Sequence, residues 1–128
     1  MKEGTIIHCS FVVDEDIYFG FQRAFKDLNP YHIDDEKAKE KGFKGKIMYG
    51  NILGGYLSYF VGMLLPSREV VIVAQSINFH LPFYLNDHLK FEAKLIQFSE
   101  AMNVGTLKFH FFRTEEKVAE GKIQVKFI

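Results

Sequence analysis

Residues 47–67 read IMYGNILGGYLSYFVGMLLPS, and this uncharged stretch decides how the rest of the chain must fold. The stretch is about long enough to span a bilayer. Its four glycines, three tyrosines and Asn51 make it less hydrophobic than a lipid-facing helix, so a helix buried inside a globular protein is favoured. Apolar residues at helical spacing share one face: Leu53, Leu57, Val61 and Leu64. Pro66 closes the segment, and the pattern predicts a long helix from Tyr49 to Leu65.

Downstream of this helix the sequence predicts four consecutive strands. Residues 70–79, 88–98, 104–113 and 118–128 are rich in β-branched and aromatic side chains. Proline, Asn-Asp or acidic turn residues separate them. We therefore expect a four-stranded antiparallel meander.

Upstream of the long helix, residues 5–13 predict a first strand, and Asp14 begins a helix. Ile17, Phe21 and Phe25 recur every four residues and give that helix one apolar face. The helix must end before Pro30, which cannot continue it.

A second, short and charged helix follows, capped by Asp34 and Asp35, running through Glu40 and ending at Gly42. The two aspartates also lie beside His32, as in some carboxylate–imidazole metal sites. Helix capping explains both aspartates without a metal, so we predict no metal site here.

One strand, three helical pieces and then four strands make an α+β chain that forms a single domain over residues 1–128. We expect the antiparallel sheet to curl around the long helix and to bury both sides of it. An edge strand and a helix flank are then available to a second copy, so a homodimer is expected.

Composition excludes several classes of function. The 16 Lys and Arg residues balance 16 Asp and Glu residues, and a net charge of zero argues against a nucleic-acid binder with a broad basic surface. Cys9 is the only cysteine, so neither an internal disulfide nor a thiolate metal cluster can form, and a reducing cytoplasm fits best. The N-terminus shows no signal-peptide pattern, and we expect neither a targeting segment nor a membrane span.

The residues best suited to chemistry lie in DLNPYH, residues 27–32. Asp27 and His32 flank a turn that Pro30 makes rigid, and a carboxylate and a neutral imidazole so presented could hold one water molecule as an acid/base pair. Asp and Asn-Pro are also ordinary turn formers, so the residues by themselves favour a plain turn.

Longer motifs favour a catalytic loop over a plain turn. The pattern Asp-x-Asn-Pro-x-His of residues 27–32, followed by Ala38, resembles the signature of the MaoC-like, R-specific enoyl-CoA hydratase family. The segment GFKGKIMYG, residues 42–50, resembles the family's glycine-rich approach to its central helix, and Ser58 matches a serine on that helix. FHLPFYLND, residues 79–87, resembles a further family segment. The matches run in the same order and spacing between Asp14 and Leu95.

This resemblance implies a hot-dog fold, in which a curved antiparallel sheet wraps around a long central helix, and a hydratase or dehydratase of the EC 4.2.1 type. Asp27 and His32 would be the catalytic pair that adds water to a trans-2-enoyl thioester to give an (R)-3-hydroxyacyl thioester. Asn29 would hold their loop, the N–H of Gly50 would bind the thioester carbonyl, and Ser58 would be a secondary polar contact.

No metal or redox cofactor is implied, because coenzyme A or phosphopantetheine enters as part of the substrate. The expected partners are the acyl-thioester substrate, a second copy of the chain and an acyl carrier protein. An acyl-CoA thioesterase and a non-catalytic acyl-thioester-binding protein remain alternatives.

Three positions depart from the family pattern. Phe25-Lys26 replaces the usual Ser-Gly before the aspartate, and the charge of Lys26 would favour the ionised form of Asp27. Tyr49 replaces a histidine beside Gly50 at the helix entry, and by its position it would join Gly50 in binding the thioester. Asn86 replaces a glycine, and asparagine tolerates the left-handed backbone that the turn requires.

Other polar residues have weaker interpretations. Residues 36–46 are locally basic, and Lys44, Lys46 and Arg68 could contact the phosphates of coenzyme A or an acidic carrier protein; a solvated helix face is the plainer alternative. Cys9 is expected to be a small buried side chain without a catalytic role. The remaining histidines form no ligand spacing: His8, His80, His88 and His110.

Overall fold

The structure is a computed structural model that describes residues 1–128. The chain begins with strand β1 (Ile6–Val12) and helices α1 (Glu15–Phe25), α2 (Pro30–Ile33) and α3 (Asp35–Glu40). Helix α4 (Ile52–Tyr59) continues into a π-helical segment (Phe60–Leu64). Strands β2 (Val70–Phe79), β3 (His88–Ser99), β4 (Val104–Arg113) and β5 (Glu116–Phe127) complete the chain. The α+β prediction is confirmed.

The five strands form one antiparallel sheet in the order β1-β3-β4-β5-β2. The predicted four-stranded meander is wrong at its first strand, because β2 pairs with β5 and not with β3. The β2–β3 connection, residues 80–87, contains Pro82 and is too long for a tight hairpin, so the chain crosses to the far side of the sheet before β3 begins. Only β3, β4 and β5 form a meander.

The central helix differs from its prediction in extent and burial. It begins at Ile52 rather than Tyr49, and its last turn is π-helical, from Phe60 to Leu64. The predicted burial of both sides is wrong for the single chain: one face is buried against the sheet, and the other leaves several residues exposed. The exposed residues are Gly55, Ser58, Tyr59, Gly62 and Met63. No helix of the structure has the length and apolar character needed to cross a membrane.

Aromatic side chains pack the central helix against the sheet. Phe60 contacts Phe91 of β3 with ring centroids 4.9 Å apart, and Tyr56 stacks on Phe11 of β1 at 4.1 Å. Phe91 in turn contacts Phe111 of β4 at 5.0 Å. Each fully buried aromatic ring contributes roughly 1.5–3 kcal/mol from its transfer out of water, so this cluster fixes the position of α4.

Helices α1 and α3 begin and end as the sequence predicts, whereas the one-turn helix α2 lies where a turn was predicted, and Asp35 does not cap α3 but accepts the Lys46 N–H. Asp14 caps α1 by accepting the Ile17 N–H at 3.0 Å, and Asp34 caps α3 by accepting two backbone N–H groups. Gly42 follows α3 with φ +90°, which is the left-handed conformation expected after a helix. These helices bring the segment between Lys26 and His32 over the entry to α4.

Candidate active site

Two successive side-chain turns shape the loop that carries Asp27 and His32. The Asp27 Oδ1 atom accepts the Asn29 N–H at 3.0 Å, and Asn29 Oδ1 accepts the Tyr31 N–H at 3.0 Å. Pro30 is the first residue of the one-turn helix α2, where its missing N–H costs nothing. The loop is therefore ordered by its own sequence, and it presents an exposed Asp27 next to a half-buried His32.

His32 has a defined tautomer. Its Nδ1 atom lies 2.9 Å from the carbonyl oxygen of Ile47, which can only accept, so Nδ1 carries the proton. Nε2 is then left with a lone pair, as a general base requires. The His32 carbonyl accepts the Tyr18 hydroxyl at 2.6 Å, which anchors the backbone behind the ring.

Tyr49 connects the two candidate catalytic residues. Its hydroxyl donates to the Asp27 carbonyl at 2.5 Å and accepts from Gln22 Nε2 at 3.2 Å. Its ring centroid lies 4.4 Å from that of His32 and 4.7 Å from that of Phe21. A buried tyrosine thus spans from the Asp27 backbone to the His32 ring, a positioning role that the sequence did not indicate.

Gly50 lies at the entry to α4, one residue after Tyr49. Its carbonyl accepts the Leu53 N–H at 3.1 Å, whereas its own N–H donates to no other group of the chain. A Cβ atom here would lie 3.1 Å from the ring of Phe79, so glycine keeps this N–H approachable. A free N–H at the positive end of a helix is suited to an oxygen that gains negative charge.

Ser58 does not join this group. It lies two helical turns beyond Gly50, roughly 12 Å along the axis at 1.5 Å per residue, and its side chain is exposed and forms no hydrogen bond. The structure therefore brings together five of the predicted site residues and leaves Ser58 apart. The five are Asp27, Asn29, His32, Tyr49 and Gly50.

Of the three predicted phosphate contacts, two lie together. Lys44 and Lys46 line a polar cleft of about 420 Å³ whose opposite wall includes Arg113. Arg68 is not part of this cleft; it follows the π-helical segment and donates to the Leu65 carbonyl at 3.5 Å. The arginine that lines the cleft is Arg113, far along the chain, which the sequence did not indicate.

A larger, apolar groove of about 780 Å³ lies between β1, α1 and α4. Its lining includes Phe11, Phe21, Phe25 and Tyr59, but neither Asp27 nor His32. The lining of this groove therefore does not include the candidate catalytic pair.

The other titratable groups form no second centre. Burial raises the pKa of the Cys9 thiol, which keeps it protonated and unreactive. Burial lowers the pKa of His110, whose Nε2 atom lies 3.7 Å from Glu120 on the outer face of the sheet. No three His, Cys, Asp or Glu side chains of residues 1–128 converge on a point that could hold a metal ion.

Comparison with known proteins gives relatives of one kind. No family profile matches the chain. The (R)-specific enoyl-CoA hydratase of Aeromonas caviae is 28% identical over 92 residues, covering 72% of this chain and 69% of that protein. The (R)-specific enoyl-CoA hydratase of Rhodospirillum rubrum is 28% identical over 126 residues, covering 98% and 83%. A mitochondrial 3-hydroxyacyl-[acyl-carrier-protein] dehydratase of Arabidopsis thaliana is 25% identical, covering 85% and 64%.

Solved structures establish the fold. An (R)-hydratase from A. caviae, described as involved in PHA biosynthesis, matches with a TM-score of 0.91 at 24% identity, covering 100% of this chain and 98% of that one. A MaoC-like dehydratase from R. rubrum matches with a TM-score of 0.79 at 19% identity, covering 99% and 93%. The five-stranded sheet and its central helix therefore form a hot-dog fold.

Proposed function

We propose that the chain belongs to the MaoC-like hot-dog family and is a hydro-lyase that interconverts trans-2-enoyl thioesters and (R)-3-hydroxyacyl thioesters. The observation that carries this proposal is an ordered loop in which Tyr49 links the Asp27 backbone to a His32 ring whose Nδ1 proton is held by the Ile47 carbonyl. The relatives reported above are (R)-specific enoyl-CoA hydratases and a 3-hydroxyacyl-[acyl-carrier-protein] dehydratase, which supports the same reaction.

In the direction of hydration, the Asp27 carboxylate and His32 Nε2 hold one water molecule between them. The base removes a proton from the water while the water oxygen bonds to the β-carbon. The electrons of the double bond move onto the thioester, which becomes an enolate. The conjugate acid of the pair then protonates the α-carbon. Elimination of water follows the same steps in reverse.

The Gly50 N–H stabilises the enolate. It donates to no other group of the chain and lies next to Tyr49, whose ring contacts His32, so a thioester carbonyl at Gly50 would place the reacting carbons by the catalytic pair. A preorganised donor aimed at developing charge is worth about 10²- to 10³-fold in rate.

The substrate is an acyl thioester of coenzyme A or of a carrier protein's phosphopantetheine, and the chemistry requires no metal or redox cofactor. A homodimer is part of the proposal, since β2 is an unpaired edge strand with exposed apolar side chains at Val71, Ile72 and Val73. A single free Cys9 fits a cytoplasmic location.

The test follows the loss of enoyl absorbance when purified protein is mixed with crotonyl-CoA and longer trans-2-enoyl-CoAs. Asp27→Asn and His32→Ala are each expected to lower kcat by about 10²- to 10⁴-fold. Glu115→Gln is the matched control, because this exposed carboxylate in the β4–β5 turn forms no ion pair and should leave kcat unchanged.

Wild-type turnover in both variants would refute the assignment of the pair. Release of free thiol from saturated acyl-CoA, without hydration, would instead indicate a thioesterase. Tight acyl-CoA binding with no turnover of either kind would indicate a binding protein.

A further inference from the structure

A polar cleft of about 420 Å³ lies beside the candidate active site, between residues 44–46 on one side and Tyr84 and Arg113 on the other. We propose that Lys44 and Lys46 bind a phosphate group of the carrier to which the acyl chain is attached. This proposal rests on the proposed function, because it assigns the site of the substrate's non-reacting half.

The charged side chains of the cleft are three cations, Lys44, Lys46 and Arg113, and two carboxylates, Asp35 and Asp87, so its formal net charge is positive. Neither ammonium group forms an ion pair; Lys44 Nζ lies 6.0 Å from the centroid of the Tyr84 ring, and Lys46 Nζ lies 4.7 Å from that of Tyr18. Arg113, by contrast, is bound by Asp87 at 2.9 Å. A phosphate entering the cleft would therefore meet two cations that are not engaged in an ion pair, in a cleft whose charged side chains sum to a positive charge.

The carboxylates of the cleft are occupied by the scaffold. Asp35 Oδ1 accepts the Lys46 backbone N–H at 2.8 Å, and Asp87 Oδ2 accepts both the Tyr84 N–H at 2.8 Å and Arg113. A Cβ atom on Gly45 would lie only 2.9 Å from Asp35 Oδ1, so a side chain here would displace the Asp35 carboxylate from its present position. The lysines are thus held on a fixed backbone.

The cleft shares a wall with the catalytic pair. Lys46 directly precedes Ile47, whose carbonyl accepts the His32 Nδ1 proton and whose N–H donates to the Tyr31 carbonyl at 2.9 Å. The Tyr18 ring under the Lys46 ammonium also carries the hydroxyl that binds the His32 carbonyl. A phosphate bound at the lysines would therefore lie against the residues that hold the His32 ring and backbone in place.

The experiment compares the double variant Lys44→Ala/Lys46→Ala with the wild type on three thioesters of the same enoyl group: crotonyl-CoA, crotonyl-3′-dephospho-CoA and crotonyl-pantetheine. Partly exposed charge pairs of this kind predict a KM for crotonyl-CoA that rises about five- to tenfold, with kcat within about twofold. The KM for crotonyl-pantetheine, which has no phosphate, should not change. Lys37→Ala, which removes the same charge from the exposed face of α3, is the control and should behave as wild type.

Crotonyl-3′-dephospho-CoA shows which phosphate of coenzyme A the lysines bind, because it lacks only the 3′-phosphate. A KM increase that persists with crotonyl-3′-dephospho-CoA assigns the cleft to the phosphates near pantetheine, which a carrier protein also supplies in part. An increase that disappears assigns it to the 3′-phosphate, which is particular to coenzyme A. An unchanged KM for crotonyl-CoA, or an equal rise with crotonyl-pantetheine, would overturn the proposal.

Direct binding separates this proposal from the proposed function. If no thioester is hydrated, the function fails, but the affinity for coenzyme A measured by calorimetry still tests the cleft. The double variant should then bind coenzyme A about five- to tenfold more weakly than wild type and Lys37→Ala. Equal affinities in all three proteins would refute the assignment of the lysines.

Discussion

Replacing Tyr49 with phenylalanine separates the positioning role of its hydroxyl from the packing role of its ring. The hydroxyl is the only group that the variant removes, and it donates to the Asp27 carbonyl at 2.5 Å while accepting from Gln22. The ring contacts with Phe21 and His32 remain. One partly buried hydrogen bond is worth about 1 kcal/mol net, so the melting temperature should fall by roughly 3–5 °C.

The loss of activity should exceed this modest loss of stability. Without its anchor the Asp27 backbone shifts, and a displacement of about 1 Å at a catalytic group can cost up to 10²-fold in rate. We therefore expect kcat for enoyl-CoA hydration to fall about 10- to 100-fold while KM stays within about twofold. A stopped assay at substrate saturation, on protein shown to be folded by circular dichroism, measures this.

Tyr56→Phe is the matched control, because Tyr56 is also a buried tyrosine whose hydroxyl donates to a backbone carbonyl, that of Val12, at 3.4 Å. It should lose stability without losing kcat. A Tyr49→Phe variant that melts at a lower temperature but keeps the wild-type kcat would show that the hydroxyl serves stability alone. An unchanged melting temperature would show that the bond to Asp27 contributes nothing.

Two further predictions concern the sheet. In Gly121→Ala, the new Cβ would lie 1.9 Å from the Ser76 carbonyl, so β2 must move away from β5, and the free energy of unfolding in urea should fall by about 3 kcal/mol or more. The control Gly54→Ala has nothing within 4 Å of its Cβ and should lose no stability. Equal stability of the two variants would contradict the structure. Burial lowers the pKa of His110 below its ordinary value of 6.5, so its contribution to stability is complete above pH 6.5 and is lost as the pH falls through the lowered value. His110→Gln should therefore lose less melting temperature than wild type between about pH 7.5 and about pH 5.5, and an equal loss would assign the pH dependence to other groups.

Local sequence signals predicted the structure correctly wherever a side chain and the backbone that it shapes are close in the chain. Residues 88–98 predict a strand, and β3 lies there with Leu89, Phe91, Ala93 and Leu95 buried on one face. Asp14 and Asp34 cap the helices that their positions predict, because a capping side chain binds an N–H only two or three residues away. The left-handed backbone predicted for Asn86 is also present, with φ 69°.

Features that depend on long-range packing were not predictable in this way. Residues 70–79 predict a strand correctly but contain no signal for pairing with β5 instead of β3, since the choice depends on the path of the connection. The Tyr49 hydroxyl reaches an Asp27 carbonyl that lies in another part of the sequence, and no local pattern encodes that contact. The same is true of Arg113, which reaches the cleft of Lys44 and Lys46 only through the folded sheet.

The position of β1 at the edge of the sheet also determines the order in which the chain can fold. β1 pairs only with β3, so Ile6 must find Lys94 across most of the sequence, whereas β3, β4 and β5 pair with their chain neighbours. Loop closure over such a separation is slow compared with the formation of local hairpins. During synthesis β1 emerges from the ribosome long before its partner β3 exists. Its apolar side chains therefore stay exposed to solvent until the C-terminal hairpins have formed. The last strand to join the sheet is therefore the first to be made.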